Sequence, residues 1–403
     1  MTSNVLDGIK VLDLSQFLSG PRCSQLLAMK GAEVVKVEPP SGETLRMLTR
    51  LMKSERMLSA MHQNKKGVVI DMKKDEGREL IKRMAAKADI VVENFAPGLM
   101  KKIGLDYDTL CEINPGLIYV SISGFGRTGP MSNRVAFDIV SQASAGIMAA
   151  YKMEDRTPKV YFGDLISGAY AALGAVEALL HRERTGKGQL VDISMQDVMY
   201  FQNFSAFSDN SLEPVIAEIE KLLGRTLSNL LTDDAHPLPF WASYKASDGY
   251  VVIVALTDSE WTSLMKIIGR EDALSDFRFS NFLTRIHNAD EGFKMIAPWV
   301  AERTAEEVVA ALEAGKVPCA RVLNFEQVNH HPQLGAREML AVVEDEKFGP
   351  ISVPGDPVKL SECPQDIHSS CPRLGQHTNE VLRDWLGLSD GELDALKKKS
   401  AIA

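Results

Sequence analysis

Along the first half of the chain, short apolar runs alternate with stretches of helical period. Residues 9–14 read as a buried strand, and a turn at Gly20-Pro21 opens a helix running through Lys30. Residues 33–38 predict a second strand, stopped by Pro39-Pro40, and residues 68–72 a third. Over 75–88 the apolar positions Leu80, Ile81, Met84, Ala85 and Ala88 fall on one helical face. Residues 89–93 and 117–123 are further strands, each after a helical stretch. Such β-α alternation predicts an α/β fold, a parallel sheet with helices on both faces. Residues 164–185 then read as one long helix closed by Gly186, leading to a strand at 189–194.

Beyond residue 201 the pattern weakens. A connector with one helix at 213–223 precedes a smaller α+β region, with a strand at 249–256 and helices at 258–268 and 305–314. A proline-rich stretch, 353–372, leads to a last helix near 379–386. The expected organisation is a large domain over 1–200, a linker over 201–225, a small domain over 226–325 and a C-terminal return over 326–403.

Charge and cysteine usage narrow the function classes. The chain has 403 residues, with 54 acidic against 45 basic side chains and a net charge of -9. A nucleic-acid binder would show a basic excess, so none is expected as a partner. Cys23, Cys111, Cys319, Cys363 and Cys371 are odd in number, widely spaced and free of any CxxC pair. Neither a disulfide framework nor a zinc site is suggested, and a reduced, cytoplasmic setting is expected. No apolar signal core opens the chain, and no uninterrupted apolar run approaches the roughly 20 residues that span a bilayer. No membrane partner is therefore expected.

Two segments invite a chemical reading. Gly124-Phe125-Gly126-Arg127-Thr128-Gly129 fits G-x-G-x-x-G after a strand, but Pro130 follows at once and no acid lies about 20 residues on. A glycine-rich loop near an active site or coenzyme is the better reading than a dinucleotide fingerprint. The P-loop pattern is missing, and His330-His331 lacks a spaced acidic partner for a metal. Asp164, inside Gly163-Asp164-Leu165-Ile166-Ser167-Gly168, stands where the long helix is predicted to start. On the pattern alone, an N-cap is the simpler account of it.

Taken together and in order, several segments resemble the class III CoA-transferase family, which also includes 2-methylacyl-CoA racemases. They are Val11-Leu12-Asp13-Leu14 with Gly20-Pro21, the run from Gly31 to Pro40, Asn64-Lys65-Lys66, Asp71-Met72-Lys73 and Val92 to Gly98. Gly124-Phe125-Gly126, Gly163-Asp164, Arg184 to Gln189 and Pro372 to Thr378 complete the set. The resemblance implies a large Rossmann-like domain, a smaller inserted α+β domain and an interlaced, ring-shaped homodimer. It implies that Asp164 is the nucleophile, passing through an aspartyl anhydride and an aspartyl-CoA thioester. It implies acyl-CoA and a carboxylic acid as substrates, with no permanently bound cofactor or metal. The CoA contacts it implies are Leu18, Ser19, Ile70, Asp71, Met72, Lys73, Asn94, Phe95, Ala96, Lys102, Phe137 and Asp138, with Lys102 facing phosphate.

Departures from the family pattern shape the expectation. Leu18 stands where formyl-CoA transferase has a glutamine, and Pro39 where it has an arginine. That enzyme's glycine-rich loop is not evident at residues 235–239. These differences argue against oxalate and formyl-CoA, and succinyl-CoA with a dicarboxylic or aryl-substituted acid is the alternative. Two rival functions stay open. One is a racemase, although racemases of the family carry His-Asp where this chain has Phe137-Asp138. The other is a non-catalytic CoA-binding subunit working with a related second chain.

Overall fold

The computed structural model describes residues 4–151, 153–203, 218, 221 and 239–403. The chain divides into two compact units, 1–207 with 332–403, and 208–331.

The first unit is built on six parallel strands, β1 (Lys10–Asp13), β2 (Glu33–Glu38), β3 (Lys65–Val69), β4 (Ile90–Glu93), β5 (Ile118–Ser123) and β6 (Leu190–Ser194). Their order is β3-β2-β1-β4-β5-β6. Alternate residues feed opposite faces, because side chains along a strand alternate. Leu12, Val35, Val68, Val91 and Tyr119 enter one core with Leu80, Ile81 and Met84. Val11, Val34, Ile90, Val92 and Ile118 enter the other with Leu27, Ala171 and Ala175. The C-terminal helices Thr378–Leu386 and Asp390–Lys398 complete the first core through Val381, Leu382, Trp385 and Leu393. Strand order reverses between β1 and β4, and in such sheets ligands occupy the crevice beyond the strand ends at that point.

Several boundaries differ from the sequence expectation. The third strand begins at Lys65 rather than residue 68, because Lys65 and its charge are buried within the fold. The helix at Thr378–Leu386 is not the last; Asp390–Lys398 follows it, behind a Ser389 capping box. The start of the proline-rich stretch closes a hairpin of β10 (Leu340–Asp345) and β11 (Gly349–Pro354). The long helix spans Phe162–Thr185, and by length and composition alone it could cross a membrane. The sequence reading did not expect that. Its Ala171, Ala175 and Ala178 lie in the core against Cys23 and Leu27, as in a core helix of a globular unit.

In the second unit β7 (Trp241–Ala246), β8 (Gly249–Val254) and β9 (Cys319–Arg321) form an antiparallel sheet. Helices Asp258–Ile267, Ala289–Ala301 and Ala305–Ala314 bury Trp261, Leu264, Ile296 and Val308 with it. The helix expected at 213–223 falls largely outside the described residues. Cys23, Cys111, Cys319 and Cys371 are free thiols.

A buried charge network sits at the end of β1. Ser24 Oγ donates to Asp13 Oδ2 at 2.6 Å, and Lys65 Nζ reaches the same oxygen at 3.1 Å. Lys36 Nζ lies 3.9 Å from Asp13 Oδ1 and donates to the Ser15 carbonyl. Burial alone would raise the Asp13 carboxyl, but Lys36, Lys65 and the serine hydroxyls hold it below the usual carboxylate range. Arg46 grips Glu38 through two bonds of 2.7 Å. Removing one partner of a buried ion pair strands the others in a low-dielectric interior. Asp13→Ala should therefore cost about 3–5 kcal/mol of stability, read by denaturant unfolding at neutral pH. A cost below about 1 kcal/mol, the range of an exposed pair, would mean the two lysines find other partners.

Candidate active site

The loop after β1 is held from two sides. Phe17 adopts a left-handed backbone at φ 60°, which is strained for a bulky non-glycine residue. Its amide donates to Glu43 Oε2 at 3.0 Å, while His62 Nε2 bonds Glu43 Oε1 at 2.9 Å. Burial would raise the Glu43 carboxyl, yet Lys36 and the His62 bond hold it down at about 2. Burial, reinforced by Lys65, lowers the His62 imidazole, so it donates to Glu43 as a neutral ring. From the β4 side, Asn94 Oδ1 accepts the Gln16 amide at 2.8 Å and Asn94 Nδ2 donates to the Gln16 carbonyl at 2.8 Å. Asn94 Nδ2 also donates to Ser19 Oγ at 3.0 Å. The strained turn thus places Ser19 at the head of the helix Ser19–Ala28.

Ser19 and Asp164 line one cavity, and the Ser19 hydroxyl is near enough to the Asp164 carboxylate to favour its charged form. Asp164 does not start its helix. The helix opens at Phe162 after Tyr161, and Asp164 is its third residue. The capping role falls instead to Asp138, whose Oδ1 accepts the Asp164 amide at 3.1 Å. Asp138 Oδ2 accepts from Gln142 Nε2 at 2.6 Å. The simple N-cap account of Asp164 is therefore wrong, since another residue satisfies the helix end and the Asp164 side chain is left for other work.

Two effects push the half-buried Asp164 carboxyl up to about 7: burial first, and the nearby Asp138 charge second. The nearby Ser19 hydroxyl opposes them. At neutral pH roughly half of this group is ionised, far from an exposed aspartate. Phe17 meets Phe137 edge-on with ring centroids 5.5 Å apart, walling the same space.

The structure gathers most of the candidate residues around two cavities of about 310 Å³ each. Ser19, Asn94, Phe95, Ala96, Phe137 and Asp164 line one. Ile70, Asp71, Met72, Lys73 and again Phe95 line the other. Gln16 and Phe95 are common to both, so the two spaces adjoin at the β1/β4 switch point. Leu18, Lys102 and Asp138 line neither: Lys102 is exposed, Leu18 half-buried, and Asp138 buried beside Asp164. Gln16, Phe17, Glu43 and Arg134 are site residues the sequence reading did not single out. A strained φ and a pairing across 26 residues leave no local sequence signal. Among the described residues no His/Cys/Asp/Glu cluster could hold a metal.

Comparison with known proteins gives this geometry a context. The profile of CoA-transferase family III matches residues 6–378. A succinyl-CoA–D-citramalate CoA-transferase of Chloroflexus aurantiacus is 34% identical, with 98% of each chain covered. A succinyl-CoA:mesaconate CoA-transferase of Haloarcula hispanica is 35% identical, covering 96% of this chain and 97% of its own. A formyl-CoA:oxalate CoA-transferase of Streptomyces coelicolor is 32% identical over the whole of both. The crystal structure of a CAIB/BAIF family protein from Brucella suis superposes with a TM-score of 0.78 at 30% identity, covering 95% of this chain and 100% of that one. With a family profile running along almost its entire length and relatives matched end to end, this chain belongs to CoA-transferase family III and is a transferase enzyme.

Proposed function

We propose that the enzyme moves coenzyme A from an acyl-CoA donor to a carboxylic acid through Asp164. The carrying observation is that Asp164 is half-buried, relieved of any capping duty by Asp138 and, with Ser19, lines a cavity beside the β1/β4 crevice. An Asp164 carboxylate oxygen attacks the thioester carbonyl. The C–S bond breaks, CoA leaves as thiolate, and an acyl-aspartyl anhydride remains. The thiolate then attacks the aspartyl carbonyl, the donor acid departs, and aspartyl-CoA thioester forms. An acceptor carboxylate attacks that thioester, and the released thiolate takes the acceptor's acyl group from the second anhydride. Donor and product are both thioesters, so no ATP is required. Dividing transfer into these steps lowers each barrier, and walls of Phe17 and Phe137 would keep water from the anhydrides.

The adjoining cavity, with Ile70 to Lys73, is the proposed seat for the body of the coenzyme. Its binding energy would hold the thioester at Asp164. Relatives named for succinyl-CoA, together with Leu18 and Pro39, support succinyl-CoA as donor. Racemisation is disfavoured because Phe137 cannot carry a proton. We take the working form to be a homodimer in a reduced cytoplasm; the apolar Leu173, Val176 and Leu180, exposed at helical spacing on the long helix, support association.

Asp164→Asn should lower transfer by about 10³-fold or more while leaving CoA binding and folding intact. A wild-type adduct at Asp164 should be trapped by hydroxylamine after incubation with acyl-CoA. Near-normal transfer by Asp164→Asn, verified free of deamidation, would sink the mechanism.

The reactive form is the carboxylate, so transfer should fall as pH drops through about 7, the value to which Asp164 is raised. Asp138→Asn keeps an acceptor for the Asp164 amide but removes the neighbouring charge. The acid limb of the pH–rate profile should then move to lower pH. A limb that stays in place would show that Asp138 does not act on Asp164 by its charge.

Sedimentation of the purified chain should give about twice its 44.3 kDa mass, with activity present without any second chain. Activity appearing only on adding a related subunit would overturn the homodimer.

A further inference from the structure

Of the sixteen residues around the Asp164 cavity, two are charged: Asp164 itself and Arg134. The rest of the wall is uncharged: Gln16, Ser19, Asn94 and Ser123 are polar, and most of the remainder is apolar, including Phe17, Phe137 and Met195. Arg134 is exposed, and none of the ion pairs or side-chain hydrogen bonds among the described residues includes its guanidinium. Its position is nevertheless defined. The guanidinium carbon lies 5.6 Å from the centroid of the buried Phe125 ring, a distance at which cation and ring attract. The Arg134 amide donates to the Met131 carbonyl at 2.9 Å. Gly124 lets this segment settle onto the end of β5, since a Cβ there would stand 2.3 Å from the Ala136 Cβ.

A guanidinium has five donors in a planar fork that matches a carboxylate. Here it stands without an ion pair at the edge of a small, otherwise uncharged space whose opposite charge is the proposed nucleophile. We propose that Arg134 is a specificity-determining residue that binds the distal carboxylate of a dicarboxylic acyl group, so that the enzyme selects short dicarboxylic acids and their CoA thioesters. The inference rests on the assignment of the Asp164 cavity as the transfer site. In that site donor acyl group and acceptor acid occupy the same space in turn, each joined to Asp164 by one carboxyl carbon. One fixed cation then recognises the free end of both. A monocarboxylic acid of the same length would leave the guanidinium without a partner and gain nothing from it.

Isotope exchange between a CoA thioester and its own labelled free acid tests this without knowledge of the natural acid pair. The pairs are succinyl-CoA with succinate and butyryl-CoA with butyrate, equal in carbon number. Wild type should exchange succinate far better. In Arg134→Gln the succinate-to-butyrate ratio of kcat/KM should fall about 10- to 100-fold, the range of a charged hydrogen bond worth roughly 1.5–3 kcal/mol. Arg134→Lys should recover part of the ratio, as a point charge without the fork. An unchanged ratio, with both pairs weakened alike, overturns the subsite while leaving Asp164 in place. Free CoA binding, measured by calorimetry on the same variants, tells whether such a loss comes from a CoA phosphate instead. A wild type that exchanges butyrate as readily as succinate also overturns the subsite, and one that exchanges neither overturns the transfer-site reading with it.

Discussion

The buried pairing of Asp13 with Lys65 and Lys36 sets the geometry on which everything near the crevice depends. It ties the last residue of β1 to β2 and β3 and, through the Lys36 bond, to the Ser15 carbonyl. Three carboxylates, Asp13, Glu38 and Glu43, face three cations, Lys36, Lys65 and Arg46, with a neutral His62 among them. Such balance is what lets so many charges stay out of water, because each finds a partner of opposite sign. A hydrophobic replacement could give equal stability, but not the same directional hold on a loop. Glu43 takes the Phe17 amide, and that bond holds Phe17 left-handed. The strain in the turn is carried by the network beneath it.

From that turn a relay of side chains leads to the nucleophile. Asn94 locks Gln16 and positions the Ser19 hydroxyl, which favours the charged form of Asp164. β1 and β4 supply one wall through this relay, and the long helix supplies the carboxylate. Asp138 has two roles in the arrangement. It satisfies the helix amide as a cap would, and its charge opposes ionisation of Asp164. An ordinary N-cap aspartate would stabilise its own charge at the helix end. Handing the cap to a second carboxylate reverses that effect, and it makes the reactive oxygen more basic.

Much of the sheet was legible in the sequence because parallel strands are buried on both faces and read as unbroken apolar runs. Strand β3 was misplaced for the same reason, since Lys65 breaks the run although it is fully buried in the ion network. The long helix was begun two residues late because Gly163 is a poor helix former. The structure needs glycine there, as a Cβ would lie 2.3 Å from Ser141 Oγ. Asp164, Ser19 and Asn94 were reachable through the resemblance to a family. Phe17, Glu43 and Arg134 were not, because their roles come from a positive φ, a salt network and a missing partner. Each of these is a property of three-dimensional neighbours and leaves no spacing to read.

The raised Asp164 carboxyl is a compromise between supply and reactivity. Acyl transfer from a thiolate to a carboxylate runs uphill when the carboxylate is much the weaker base, since the anhydride then expels it in preference to the thiolate. A thiol ionises near 8.5 and a hydrated aspartate near 3.9, a gap of about 4 to 5 powers of ten in basicity. At about 7, Asp164 closes most of that gap. Its cost is that part of the enzyme is protonated at neutral pH, a factor of about two. Burial alone could reach the same value, but it would also resist the arrival of a charged acid. The Asp138 charge does part of the lifting from behind the reactive oxygen, so the cavity in front can remain open enough to admit a substrate.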